Sequence, residues 1–91
     1  MSQQKATRTV VVTDPAGVHA RAAVDIVKVV RKFRSKVVLS KDCQQAEGTD
    51  VLQMLSLVML YGSKVLLEAT GPDAEDVLDA MEPLFAEPKP S

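Results

Sequence analysis

The chain has 91 residues, 46% of them hydrophobic, and a formal net charge of −1, which suits one domain with a single core. Because acidic and basic residues nearly balance, the composition argues against nucleic-acid binding through a basic face. The single Cys43 excludes an internal disulfide, and no apolar run is long enough to span a bilayer. We therefore expect a cytoplasmic protein without membrane insertion.

The first half of the chain shows a strand pattern and then a helix pattern. Residues 6–13 are rich in β-branched side chains, with Val10 and Val12 on one face, and predict a strand. A proline and a glycine in residues 14–17 then predict a turn. Residues 20–33 favour a strand by propensity but are about two strands long, and their apolar side chains recur at helical spacing. We predict a helix there.

The middle of the chain predicts two strands and a second helix. Residues 36–40 are typical of a strand, and residues 44–47 of a short polar edge strand. Asp50 then stands at a helix N-cap, with Gln53 in the capping-box position. The helix is predicted over residues 51–60, with a glycine as its C-terminal stop.

The last third predicts a strand and a helix. Residues 64–69 alternate with one apolar face, and residues 70–73 form a turn. The buried stripe of the final helix comprises Val77, Leu78, Met81, Leu84 and Phe85, and Pro83 should loosen or finish its last turn. Residues 87–91 read as a polar, proline-rich and mobile tail. We predict one domain, ordered over about residues 5–86.

The predicted order of elements is βαββαβα. Helices interleaved with few strands favour an antiparallel or mixed sheet that is covered on one face. Such an arrangement is an open-faced α/β sandwich.

The only histidine, His19, stands at the last predicted non-helical position before the first helix. The backbone amides of Ala20 and Arg21 would then be unpaired at the helix start, where the dipole and the Arg21 guanidinium favour a phosphate. A neutral imidazole nitrogen at this place can attack phosphorus and hold the group covalently. By residue type and spacing alone, a plain surface histidine is the more common outcome.

Residues 17–23, Gly-Val-His-Ala-Arg-Ala-Ala, resemble the phosphorylation-site motif of HPr, the histidine-containing phosphocarrier of the bacterial phosphotransferase system. Residues 50–57 are similar to the second helix of that family, and residues 68–73 to its last strand-to-helix turn. The resemblance extends over about residues 5–85 without an obvious gap. It implies an α+β fold, the HPr-like open-faced sandwich, with a four-stranded antiparallel sheet and three helices on one face.

The resemblance implies a phosphocarrier and not a turnover enzyme. HPr proteins accept a phosphoryl group from enzyme I, which phosphoenolpyruvate charges, and pass it to enzyme IIA domains. His19 is then the acceptor through Nδ1, Arg21 stabilises the phosphate, and the amides of Ala20 and Arg21 hold it. We expect no cofactor and a monomer, and one cysteine with one histidine cannot form a closed metal site.

Two alternatives remain open. The first is an HPr-like regulatory protein of the nitrogen-related or carbon-control type, which acts through phosphorylation-dependent protein binding. That alternative adds a transcriptional regulator to the partners. The second is a plain interaction domain with an unmodified histidine, and the presence of both His19 and Arg21 argues against it.

Three residues depart from the family pattern. Ala22 stands where most members have proline, so we expect a slightly looser helix start with the chemistry intact. Ala16 replaces a small polar residue, so one supporting hydrogen bond should be missing. Asp50 occupies the position of a regulatory serine found in many Gram-positive members. We favour a helix cap at Asp50 over a permanent partial mimic of phosphoserine.

The second predicted helix is apolar nearly all round, so part of its surface should be exposed. Val51, Leu52, Leu55 and Met59 share one face by helical spacing. The resemblance implies that this face docks enzyme I and enzyme IIA domains. A dimer contact or an unusually buried helix are the alternatives.

Overall fold

The structure is a computed structural model that describes residues 4–86. Within this range the elements follow the predicted order βαββαβα. They are β1 (Lys5–Val11), α1 (Ala20–Val30), β2 (Lys36–Lys41), β3 (Gln44–Glu47), α2 (Val51–Ser56), β4 (Lys64–Thr70) and α3 (Ala74–Met81), with a 3-10 helix at Glu82–Phe85. The predicted C-terminal tail lies outside the described residues.

The strands of the described chain form one four-stranded sheet in the order β1-β4-β2-β3, and every neighbouring pair is antiparallel. Of the two predicted kinds of sheet, antiparallel and mixed, the antiparallel one is confirmed. The short, polar β3 lies at one edge, as its composition predicts. The fold is the α+β open-faced sandwich that the sequence predicts.

Alternation along the strands directs one set of side chains into the core. Val65, Leu67 and Ala69 of β4 are fully buried, whereas the residues between them are partly exposed. Cross-strand pairs such as Val10 with Val65 join these buried positions across the sheet. The predicted buried stripes of α1 and α3 pack against this face through Ala23, Ile26, Val27, Val30, Val77, Leu78 and Met81.

The first helix is shorter than predicted, because α1 ends at Val30 and not at residue 33. The amides of Lys32 and Phe33 donate hydrogen bonds to the carbonyls three residues back, at Val29 and Val30. This is the 3-10 pattern that often follows the end of an α-helix. Phe33 still packs against the core. Because its apolar side chain continues the helical spacing of buried residues, the predicted helix was extended to include it.

The second helix ends at Ser56, so the predicted helix over residues 51–60 is wrong in its last turn. From residue 57 to residue 60 buried and exposed side chains alternate, a period of two that does not match a helix. Leu57 and Met59 are buried. The carbonyl of Met59 accepts a 2.8 Å hydrogen bond from the amide of Val18, a distant contact that holds the segment out of the helix.

The last helix changes its winding at Pro83, which confirms the predicted loosening. α3 ends at Met81 and continues as the 3-10 helix, with proline in its first turn. The amide of Thr13 donates to the carbonyl of Phe85 at 2.9 Å, and Phe85 is buried. This contact holds the C-terminal segment beside the loop that connects β1 to α1.

The start of α3 is fastened to the turn between α1 and β2. The Asp73 carboxylate accepts hydrogen bonds from the Ser35 hydroxyl at 2.6 Å and from the Arg34 amide at 2.8 Å. These donors, the Ser35 hydroxyl first, hold the pKa of Asp73 below its usual value. Asp73 therefore ties two distant turns together.

The stability contribution of Asp73 should depend on pH. Because its pKa is lowered by folding, the contribution is present above its unfolded pKa of about 3.9 and is lost as the pH falls through the lower folded value. We expect Asp73→Asn to destabilise the protein at pH 7 and to matter progressively less below about pH 4, in urea unfolding at each pH. Ser35→Ala should weaken this pH dependence, and a pH-independent effect of Asp73→Asn would contradict the assignment.

Candidate functional site

His19 lies at the N-cap of α1, in extended conformation with φ −98° and ψ −179°. Its carbonyl accepts the first helical hydrogen bond, from the amide of Ala23 at 2.9 Å, which confirms the predicted position before the helix. The imidazole is exposed and makes no capping hydrogen bond within the described chain. Its ring nitrogens are therefore accessible for chemistry.

The helix start beside His19 has the properties of an anion site. The amides of Ala20, Arg21 and Ala22 have no hydrogen-bond partner among residues 4–86, as expected for the first turn of a helix. The first turn contains no acidic residue, and the dipole of the 11-residue helix contributes roughly half a positive charge there. With the exposed Arg21 side chain, this arrangement suits a phosphate.

A compact turn places His19 in front of the helix. The Asp14 carboxylate accepts a 2.9 Å hydrogen bond from the Ala16 amide, and the Asp14 carbonyl accepts one of 2.8 Å from Gly17. Gly17 has φ +70°, the left-handed conformation that glycine adopts without steric cost. The amide of Ala16 is thus fixed by Asp14, although its methyl side chain adds no polar group to the site.

A depression of about 520 Å³ opens beside the histidine. Its lining includes His19, Arg21, Asp14, Asp25, Pro83 and Leu84. The lining of the depression thus combines the imidazole and one guanidinium with two carboxylates.

The sequence analysis did not identify Asp25 as a residue of the site. Its spacing of four residues from Arg21 places both on one side of α1, and this signal was available in the sequence. The walls at Pro83 and Leu84 depend on how the C-terminal segment packs, so spacing along the chain could not reveal them.

The predicted docking face is only partly exposed. Leu52 is 76% exposed, but Val51 and Leu55 are half-buried against the core. Met59 is 2% exposed and lies beyond the helix, so the prediction that it shares an exposed helical face is wrong. Its side chain points inward because buried and exposed positions alternate in this segment.

Exposed apolar side chains missed by the prediction follow α2. Val58, Leu60 and Tyr61 are 56%, 61% and 66% exposed. We call residues 57–61 the apolar loop. Two features place it beside the site: the hydrogen bond from Val18 to Met59, and the close packing of the Gly17 backbone against Met59 and Leu60. The apolar loop therefore lies next to the turn that carries His19.

Asp50 caps α2 as predicted. Its carboxylate accepts a 3.0 Å hydrogen bond from the Gln53 amide. The reciprocal half of the predicted capping box is absent within the described residues, because the Gln53 side chain instead accepts from the Glu47 amide at 2.9 Å. The side chain of Asp50 thus has a structural role in starting the helix.

We expect Asp50→Ser to leave both helix capping and phosphoryl transfer nearly unchanged, since serine caps as well as aspartate. Asp50→Ala should lower the free energy of unfolding by about 1 kcal/mol through loss of the cap. Urea unfolding and the rate of phosphorylation by enzyme I measure the two effects. If Asp50→Ser is phosphorylated faster, the removed charge mattered, and Asp50 acts as a mimic of phosphoserine.

Neither a metal site nor a membrane span is found among residues 4–86. No three His, Cys, Asp or Glu side chains lie close enough together there to bind a metal ion, and Cys43 is exposed. No helix in the same range is long and apolar enough to cross a bilayer.

Comparison with known proteins identifies the family. A family model described as the PTS HPr component phosphorylation site matches residues 6–87. The chain is 36% identical over 78 residues to the phosphocarrier protein HPr of Treponema pallidum, covering 86% of this chain and 89% of that protein. It is 35% identical over 79 residues to the phosphocarrier protein NPr of Escherichia coli, covering 86% and 88%.

Solved structures agree with the sequence comparisons. The crystal structure of a phosphocarrier protein HPr from Bacillus anthracis matches with a TM-score of 0.83 and 25% identity, covering 88% of this chain and 95% of that chain. The fold, the helix-start histidine and the family match point to the same assignment. The chain belongs to the HPr family of phosphocarrier proteins.

Proposed function

We propose that the protein accepts a phosphoryl group on His19 from phosphorylated enzyme I and passes it to enzyme IIA domains during sugar uptake. The observation that carries the proposal is the exposed imidazole at the N-cap of α1, beside Arg21 and three amides that have no partner among residues 4–86. The relay takes place in the cytoplasm, where enzyme I is charged.

The transfer step uses His19 as a nucleophile. The Nδ1 lone pair attacks the phosphorus, and a new N–P bond forms while the donor's bond to phosphorus breaks and the donor atom keeps its electron pair. The amides of Ala20 and Arg21 donate to the phosphoryl oxygens, and the Arg21 guanidinium adds a charge-assisted hydrogen bond. The reverse sequence of bond changes hands the group to the acceptor.

The docking surface in this proposal is a corrected form of the predicted face. It comprises Leu52 on α2 together with Val58, Leu60 and Tyr61 of the apolar loop, all of which are exposed. Val51 and Leu55 contribute their half-exposed edges, while the buried Met59 supports the loop from inside. An exposed apolar surface beside the reactive group suits brief and repeated docking.

Phosphorylation of the intact protein tests the proposal. We would incubate it with phosphoenolpyruvate and enzyme I of the same organism, and follow the product by mass spectrometry and by the ³¹P signal of an N-linked phosphate. An acid-labile phosphoryl group that leaves on addition of an enzyme IIA domain supports the relay. Absence of labelling with the cognate enzyme I would contradict it.

The second candidate is a role in the nitrogen-related branch, which shares the chemistry but not the partners. The observation that favours it is the 35% identity to the phosphocarrier protein NPr, close to the 36% identity to an HPr. Assaying transfer from the sugar-branch and the nitrogen-branch enzyme I side by side separates the two. The preferred donor should have the higher kcat/KM.

A further inference from the structure

Asp25 is a charged residue of the depression that the transfer step does not use. It is the only acidic residue of α1, and it is half-buried. It lies four residues after Arg21 and three before Lys28, which are spacings at which side chains of a helix form ion pairs. Among residues 4–86, however, the Asp25 carboxylate makes no ion pair and accepts no hydrogen bond.

The carboxylate also contributes little to the helix that carries it. An acidic side chain is stabilised by the helix dipole mainly within the first turn, and Asp25 is the sixth residue of α1. The N-cap position belongs to His19. Because Asp25 has neither a cap, a dipole contact nor an ion pair within the described chain, its charge gives the fold little stability.

The depression places this carboxylate in the same cavity as the reacting group. His19, Ala22 and Asp25 all line it. Ala22 and Asp25 are three residues apart and share one side of the helix, and Ala22 carries only a methyl group. Pro83 and Leu84 add an apolar wall to the same cavity. Because such a wall displaces water, charges beside it are screened less than in bulk solvent.

The two kinds of charge in the depression act in opposite directions on a phosphoryl group, which carries roughly one and a half to two negative charges near pH 7. The Arg21 guanidinium attracts the group, and the Asp25 carboxylate repels it. Asp14 is the other carboxylate of the lining, but it also accepts the 2.9 Å hydrogen bond from the Ala16 amide. Asp25 is therefore the carboxylate that can be changed without disturbing the turn before His19.

We propose that Asp25 raises the phosphoryl-transfer potential of the site, because its charge destabilises the phosphorylated form of His19. This inference rests on the proposed function and concerns the energetics of the same site. Arg21 stabilises the phosphoryl group when it arrives, and Asp25 keeps that stabilisation small enough for the group to leave. Asp25 forms no bond and moves no proton in the transfer, and it acts through its charge alone.

The experiment measures the equilibrium constant for phosphoryl exchange between enzyme I and the protein. Phosphorylated enzyme I, freed of phosphoenolpyruvate, is mixed with a near-equal amount of the unphosphorylated protein, and mass spectrometry quantifies both phosphorylated forms. The constant compares free reactants with free products. A change that affects only docking therefore alters the rates in both directions and leaves the constant the same.

Asp25→Asn removes the charge and nearly keeps the shape of the side chain. We expect it to shift the constant by about 3- to 10-fold toward the phosphorylated protein. Asp25→Glu retains the charge and should stay within about 2-fold of the wild type. Arg21→Ala should shift the constant in the opposite direction, because it removes the attractive charge.

Asp76→Asn is the matched control, because Asp76 is an exposed acidic residue of α3 that does not line the depression. It removes the same formal charge and should leave the constant unchanged. Salt provides a second readout. The effect of Asp25→Asn should shrink between about 0.01 M and 1 M salt, as the Debye length falls from about 30 Å to about 3 Å. Thermal unfolding checks that every variant is folded.

Labelled wild type with an unchanged constant in Asp25→Asn would overturn the inference and leave the proposed function standing. An equal shift in Asp76→Asn would also overturn it, since net charge alone would then explain the effect. A shift that does not respond to salt would assign the effect to packing and reject the electrostatic role. If the wild-type protein itself is not labelled, the proposed function fails and the inference fails with it.

Discussion

His19→Ala should abolish phosphorylation by enzyme I completely, while the fold remains intact. The imidazole is exposed and makes no capping hydrogen bond within the described chain, so its removal should change the free energy of unfolding by less than about 0.5 kcal/mol. No other histidine is present to accept the group. Mass spectrometry after incubation with phosphoenolpyruvate and enzyme I measures the loss, and circular dichroism confirms the fold.

Arg21→Ala provides the comparison that separates the nucleophile from its surroundings. His19 and the helix-start amides remain in this variant, so labelling should still occur but about 10²–10³-fold more slowly, as for loss of one charge-stabilising donor. If His19→Ala is still labelled, at a rate similar to that of Arg21→Ala, an atom other than the His19 imidazole accepts the phosphoryl group. That result would remove His19 from its assigned role.

Gly17→Ala should have the largest effect on stability, about 2–4 kcal/mol, and should slow phosphoryl transfer about 10- to 100-fold. A Cβ atom at Gly17 would lie 2.7 Å from the carbonyl oxygen of Met59, and φ is +70° there. Relieving the clash must separate the turn from the apolar loop and weaken the bond from Val18 to Met59. Urea unfolding and the transfer rate record the two effects.

Gly62→Ala is a matched control for this prediction. Gly62 also has a positive φ, of +86°, but a Cβ atom added there has no described atom within 4 Å. The variant should therefore show the conformational cost alone, about 1–2 kcal/mol, and retain most of the transfer rate. If both alanine variants lose the same stability and rate, the contact between Gly17 and the apolar loop is not what matters.

Predictions that depended on short-range patterns were accurate. Val10 and Val12 are buried together, as are Val65 and Leu67, because alternation along a strand determines which face each side chain takes. The Asp50 cap depends on a residue only three positions away and is present. The position of His19 before α1 likewise followed from the local turn and helix patterns.

Errors arose where distant parts of the chain decide the local structure. An apolar run at residues 51–60 fits a helix, but the bond from Val18 to Met59 and the burial of Leu57 hold its second part out of the helix. The depression beside His19 depends in the same way on the packing of the 3-10 helix. Neither contact leaves a signature in the spacing of residues within its own segment.

The two ends of the described chain leave the fold at different places. β1 begins opposite Thr70, and the carbonyl of Gln4 accepts a hydrogen bond from the amide of Gly71. The first strand therefore starts at one end of the sheet, and the chain continues toward His19 from the other end. Ala86, in contrast, lines the depression beside the histidine. The last described residue therefore lies beside the nucleophile, whereas the first lies far from it, so a bulky substitution at Ala86 should hinder access to His19 more than one at Gln4.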